Sequence, residues 1–162
     1  MNTINDRKLS ENFTLFELTR TTHEYYQSKN RQVSEVQIEK LISLSGLLEK
    51  VRDLIGCPLK ITSAYRCPDL NSFIGSTSRS QHLLCEAADF VPIGKDLGDS
   101  FRKIWKSIKD GDLHVGQLIH ETANRGDAET SWIHISVGSP YRANDRCNQV
   151  LRMQDGKYTM LA

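Results

Sequence analysis

The chain has 162 residues, 38% hydrophobic and 25% charged, a composition that builds one globular domain with a moderate core and excludes a disordered chain. Its formal net charge is +1, with 21 basic against 20 acidic residues, so no electrostatic footprint for nucleic acid or for an anionic membrane surface is present. No apolar stretch approaches the length of a bilayer span, so membrane insertion is not expected.

Residues 1–11 are polar and are expected to be loosely held. Their first eight residues lack the apolar core of a signal peptide, which predicts synthesis in the cytoplasm without an export signal. Asn12 to Thr19 reads as a short docking element with its apolar residues buried. Ser34-Glu35-Val36-Gln37 has the form of a capping box. Leu41, Leu44, Leu48, Val51 and Ile55 follow at steps of three and four, and Gly56 stands at the expected stop, which predicts one amphipathic helix. Leu59 to Ser63 alternates as a strand does, and Cys67-Pro68-Asp69 opens a short helix with proline in its first turn. Residues 75–81 are rich in Gly, Ser and Thr and read as a loop; Glu86 to Val91 reads as a buried strand.

Leu97, Phe101, Ile104, Trp105 and Ile108 mark a second amphipathic helix ending near Gly111. Val115 to His120 and Trp132 to Val137 are expected strands. Gln149 to Met153 and Lys157 to Leu161 flank Asp155-Gly156, the signature of a tight hairpin. Helices and strands mix without βαβ regularity. The expected fold is therefore α+β: a single domain over residues 1–162, with an antiparallel sheet and helices packed mainly on one face. The four cysteines, at 57, 67, 85 and 147, show no Cys-x-x-Cys spacing, so a structural zinc knuckle is not expected. Free buried thiols are the expectation for most of them, with a bridge between Cys57 and Cys67 as the weaker reading.

Two short segments carry the chemistry: residues 80–89, with His82 and Asp89, and residues 132–136, with His134. Two imidazoles and one carboxylate are enough to hold a divalent zinc while leaving a fourth position for water, and three protein ligands are the mark of a catalytic metal. Seven extended residues would span roughly 23 Å, so His82 and Asp89 meet only if the chain between them turns back. Asp89 sits in the apolar run Ala87-Ala88-Asp89-Phe90-Val91, where a carboxylate is costly unless it is paired or binds metal. The alternative is that Asp89 caps a turn or pairs with Arg66. In the strand around His134, Trp132, His134 and Ser136 share one face, while Ile133, Ile135 and Val137 share the other. The isoleucine face belongs to the core, so the histidine faces a cleft over the sheet.

Ser80-x-His82-x-x-Cys85-x-Ala87-x-Asp89, followed by Trp132-x-His134, resembles the zinc D-Ala-D-Ala peptidase family. That family holds D-Ala-D-Ala carboxypeptidases and dipeptidases together with the L-alanyl-D-glutamate endopeptidase lysins of phages. Asn12 to Thr19 resembles the opening of its phage-type branch. Ile61 to Arg66 resembles its Ser-Gly-Tyr-Arg strand, with Ala64 for glycine, and Gln117-Leu118-Ile119-His120-Glu121 resembles its Gln-Leu-Ile-x-Glu segment. The resemblance implies one Zn2+ held by His82, Asp89 and His134. It implies Arg66 as the holder of a substrate carboxylate or carbonyl oxygen, Ser80 and Ser78 as hydrogen-bonding partners of substrate, and Trp132 packed beside the metal. In several relatives the general base stands three residues before the last ligand, which here is Ser131. Glu121 matches the phage-type pattern and is the expected base, with Glu129 as the alternative. His114 and His120 are expected on the surface or behind the ligands.

The implied substrate is a peptidoglycan stem peptide or crossbridge containing D-residues, cut by either carboxypeptidase or endopeptidase action. A monomer is expected, reaching the cell wall after release, as a phage or prophage lysin would. Cys85 stands where the family usually has glycine; at a positive φ that would cost about 1–2 kcal/mol, and a thiolate there would compete for the metal. With the missing acid at Ser131, this supports a rival reading: an inactive wall-binding or structural domain on the same fold.

Overall fold

The computed structural model describes residues 7–126, 128–138 and 147–161. Five helices, α1 (Leu15–Thr19), α2 (Glu24–Asn30), α3 (Glu35–Ile55), α4 (Pro68–Phe73) and α5 (Leu97–Lys109), accompany six strands, β1 (Leu59–Ser63), β2 (Ala87–Pro92), β3 (Gln117–Arg125), β4 (Ala128–Ser136), β5 (Gln149–Gln154) and β6 (Lys157–Met160). The strands form one sheet in the order β1-β2-β4-β3-β5-β6. The fold is the expected α+β arrangement, with one departure: β3 and β5 run parallel, while every other pair is antiparallel.

The long helix α3 forms where the leucine spacing places it. The Ser34 hydroxyl accepts from the Gln37 amide at 3.2 Å, and the Gln37 side chain accepts from the Ser34 amide at 2.9 Å, so the capping box is complete. Leu41, Leu44, Leu48 and Val51 are fully buried. Gly56 ends the helix at φ 72°, a left-handed conformation that glycine adopts at no steric cost. Asp155 and Gly156, both at positive φ, make the tight turn between β5 and β6.

Three features lay outside the sequence expectation. Helix α2 carries no periodic apolar signal; it is held instead by buried Asn30, whose side-chain amide donates to the carbonyls of Thr19 (2.7 Å) and Tyr65 (3.0 Å) and accepts from the Cys67 amide (2.7 Å). The pair β3 and β4 extends further than expected, to a hairpin that turns at Gly126. Residues 7–11, expected to be loose, are tied down: Leu9 is buried, Lys8 bridges to Thr14, and the Ser10 hydroxyl donates to Glu49 at 2.6 Å. Residues 1–6 lie outside the described residues.

The sheet's period of two divides its residues between two environments. Ala88, Phe90, Leu118, Ile133, Ile135 and Val150 join the main core beneath α3 and α5. Their neighbours in sequence, Asp89, Ile119 and His134, face the other way. Gly116 lets β3 start close against β4: a Cβ there would meet the Val137 carbonyl at 2.7 Å. All four cysteines are free; Cys57, Cys67 and Cys85 are buried and Cys147 is exposed, so the Cys57–Cys67 bridge is not formed. Among the described residues no helix is long and apolar enough to cross a membrane.

Candidate metal centre

Asp89 on β2 and His134 on β4 are direct cross-strand partners. That register puts their side chains side by side on the face away from the helices. His82 arrives from a 3-10 turn, Gln81–Leu84, which opens with the Ser80 hydroxyl accepting from the His82 amide at 3.3 Å. The turn closes at Cys85 with φ 61° and ψ 28°. This left-handed residue reverses the chain so that His82 and Asp89, seven residues apart, meet. One ligating atom from each of His82, Asp89 and His134 lies within 4.8 Å of the other two, and all three residues are buried.

The hydrogen bonds show which atoms are free to ligate. His82 Nδ1 lies 2.6 Å from the Ala64 carbonyl oxygen, which can only accept, so the ring proton sits on Nδ1. Its bare Nε2 then faces Asp89 Oδ1 at 3.3 Å. Two acceptors turned toward each other in a buried site repel, and a cation between them removes the repulsion. The donor set therefore fits a divalent metal on its own chemistry, with the Ala64 carbonyl fixing the tautomer from behind. Burial pushes the His82 pKa down and keeps the imidazole neutral, as a ligand must be. Burial alone would raise Asp89; an imidazole of His82 or His134 that takes up a second proton in the metal-free site outweighs burial and holds the carboxyl well below its usual range. The second Asp89 oxygen accepts from Arg66 Nη2 at 3.2 Å, and Arg66 Nε donates to the Ser63 hydroxyl at 2.9 Å. The pairing with Arg66 and the convergence with the histidines thus occur together, one on each carboxylate oxygen.

The three residues lie in a cleft of about 700 Å3 that also takes in Arg66, Ser80 and Glu121. Glu121, on β3, faces the same side as His134 and pairs across the strands with Trp132. Burial, then the Asp89 charge, push its pKa up to about 7, against the opposing pull of His134, a Trp132 hydrogen bond and Arg66. A carboxyl poised there can exchange a proton near neutral pH. Glu129 is exposed and, by alternation, on the opposite face of β4.

Other expected site residues are placed differently. Ser78 is exposed and outside the cleft lining, whereas Ser76, Thr77 and Arg79 line it. Trp132 lies beside Glu121 across the strands, packs with Ile119, Leu151 and Met153, and is also outside the lining. His120 stacks on Phe101, on the helix side of the sheet, and so does not stand behind the ligands; His114 is exposed. The Cys85 thiol is fully buried and pushed up to about 12 by that burial, so it is no thiolate competitor for metal. The sequence reading passed over Gln81, a spacer position in the motif, yet its side-chain oxygen lies 3.2 Å from His134 Nε2. A polar residue next to a ligand in a tight turn was the only signal available for it.

A family model described as Peptidase M15 matches residues 11–136, a span that includes all three donors and Glu121. No curated protein matches the chain.

Proposed function

The chain belongs to the peptidase M15 family, whose members are zinc-dependent metallopeptidases, and from that premise we propose that it hydrolyses a peptide bond in peptidoglycan stem peptides or crossbridges. The observation that carries this reading is the buried meeting of His82, Asp89 and His134 beside a carboxyl raised to about 7. When bound by these three residues, a zinc ion would acidify a water and polarise the scissile carbonyl through its open position.

The protein's own groups supply the rest. Glu121 takes a proton from the attacking water and returns it to the leaving amine. Arg66, anchored by Ser63 and Asp89, offers its remaining guanidinium donors to a substrate oxygen. Ser76, Thr77 and Ser80 line the wall along which a short peptide with D-residues lies. Trp132 braces Glu121 from the side, by a hydrogen bond across the strands, instead of touching substrate. On this reading the protein is a phage or prophage lysin that works as a monomer on the cell wall.

The wall-binding alternative drew its support from Cys85 and Ser131. Cys85 adopts the left-handed conformation that glycine would, and Glu121 occupies the cleft in place of an acid at 131. Both observations favour the enzyme. The test is to determine metal content and then to assay purified muropeptides with and without a chelator. One bound zinc with chelator-sensitive cleavage is the expected result. One bound zinc without cleavage of any stem peptide or crossbridge would establish the binding module instead.

A further inference from the structure

His134 presents an ambiguity that His82 does not. The His82 ring proton is fixed by a carbonyl, but both nitrogens of His134 face acceptors: Nδ1 lies 2.9 Å from Asp89 Oδ1, and Nε2 lies 3.2 Å from the Gln81 side-chain oxygen. A neutral imidazole has one proton to give. If the proton sits on Nδ1, it is spent on Asp89 and the nitrogen nearest the other two donors has no lone pair to offer. If it sits on Nε2, Gln81 accepts it, and Nδ1 is bare and turned toward Asp89 and His82.

We infer that Gln81 is a positioning residue for the metal: its amide oxygen holds the proton of His134 on Nε2 and thereby frees Nδ1 to ligate. This rests on the metal reading above and extends it to a residue of the cleft wall that acts through His134. The turn is built to hold Gln81 in place. Its backbone carbonyl accepts from the Glu86 amide at 3.1 Å and from the Cys85 amide at the left-handed end of the turn. The same few residues thus deliver one ligand, His82, and the orienting partner of another, His134. The two imidazoles serve through opposite nitrogens, each set by an acceptor behind it: the Ala64 carbonyl for Nε2 of His82, and the Gln81 amide for Nδ1 of His134.

Zinc affinity of the metal-stripped protein, measured by competition against a chromogenic chelator, tests this. Gln81→Met keeps the length and removes the acceptor; Gln81→Glu keeps an acceptor. The expected outcome is zinc binding weakened about 10–100-fold in Gln81→Met, restored to within a few-fold in Gln81→Glu, with metal-free melting temperatures alike. In parallel, ring nitrogen shifts of the zinc-loaded wild type should show His134 bound through Nδ1 and protonated at Nε2. This measurement stands even if the variants fail to fold. Wild-type affinity in Gln81→Met, or metal on Nε2 of His134, overturns the role of Gln81 while leaving the metal centre intact. A wild type that binds no zinc overturns the metal reading itself.

Discussion

The two faces of the central strands are made from alternate residues of the same segments, yet they obey different rules. On the helix side, Phe90, Ile133, Ile135 and Leu118 are fully buried hydrocarbon under α3 and α5. Nothing there needs a partner, and stability comes from area removed from water and from close packing. On the cleft side, Asp89 and His134 are buried nearly as deeply, but each polar atom has a named partner, and among the described residues the apolar cluster there is small: Ile119, Leu151, Met153 and part of Trp132. The first face is stable without its neighbour's chemistry. The second is tolerable because its charges pair, and its three donors could hold a cation. The difference teaches that a strand can carry a core face and a candidate metal face at once, provided a register error is expensive: a one-residue slip would turn the isoleucines into the cleft and Asp89 into the core.

The sharpest break of this contrast is His134→Ala. It should abolish zinc retention, read by elemental analysis, and reduce muropeptide cleavage to background while the helix-side core stays folded. Glu121→Gln should keep the metal and lower turnover about 10²–10⁴-fold; an unchanged kcat with normal zinc content would remove Glu121 from the mechanism. On the other face, Ile133→Ala should cost about 2–5 kcal/mol in denaturant unfolding and leave zinc affinity of the folded fraction unchanged. A large loss of affinity there would mean that the two faces are not separable.

Acidity sharpens the comparison further. In the metal-free fold burial pushes the Glu121 pKa up to about 7 from the ordinary 4.5, so the folded state holds an extra proton between those values. Stability contributed at this site is present at low pH and falls as pH rises from about 4.5 to 7. Asp89 runs the opposite way: its depressed pKa adds stability above its unfolded value of about 3.9 that is lost only as pH drops through the folded one. Metal-free Glu121→Gln should therefore melt above the metal-free wild type at pH 8, with the gap closing near pH 4.5 in a thermal scan. The smallest effect is expected for Cys85→Gly. It relieves about 1–2 kcal/mol of left-handed strain but gives up a fully buried thiol, so stability should move by no more than about 1 kcal/mol and cleavage should be unchanged.

Local chemistry made much of this legible before any coordinates. The capping box at Ser34, the leucine spacing of α3, the stop at Gly56 and the Asp155-Gly156 turn are short-range signals, because each depends on hydrogen bonds or sterics within a few residues. The pattern that nominated His82, Asp89 and His134 is also local within each segment, and an acid inside an apolar strand announces a partner by its cost. What was missed is long-range. Helix α2 exists because Asn30 reaches Thr19, Tyr65 and Cys67, and the parallel pairing of β3 with β5 follows from where the chain re-enters the sheet.

The sequence by itself thus determined most of the elements, the buried alternation and the three residues able to bind a metal, since these are set by backbone sterics and by the burial cost of charge. Only the tertiary structure decided which nitrogen of His82 is free, that Glu121 and not Glu129 shares the cleft, that Ser78 and Trp132 fall outside it, and that Gln81 stands against His134. Those outcomes depend on distances between groups far apart in the chain and on the turn at Cys85, where a few degrees of backbone rotation decide which atoms meet.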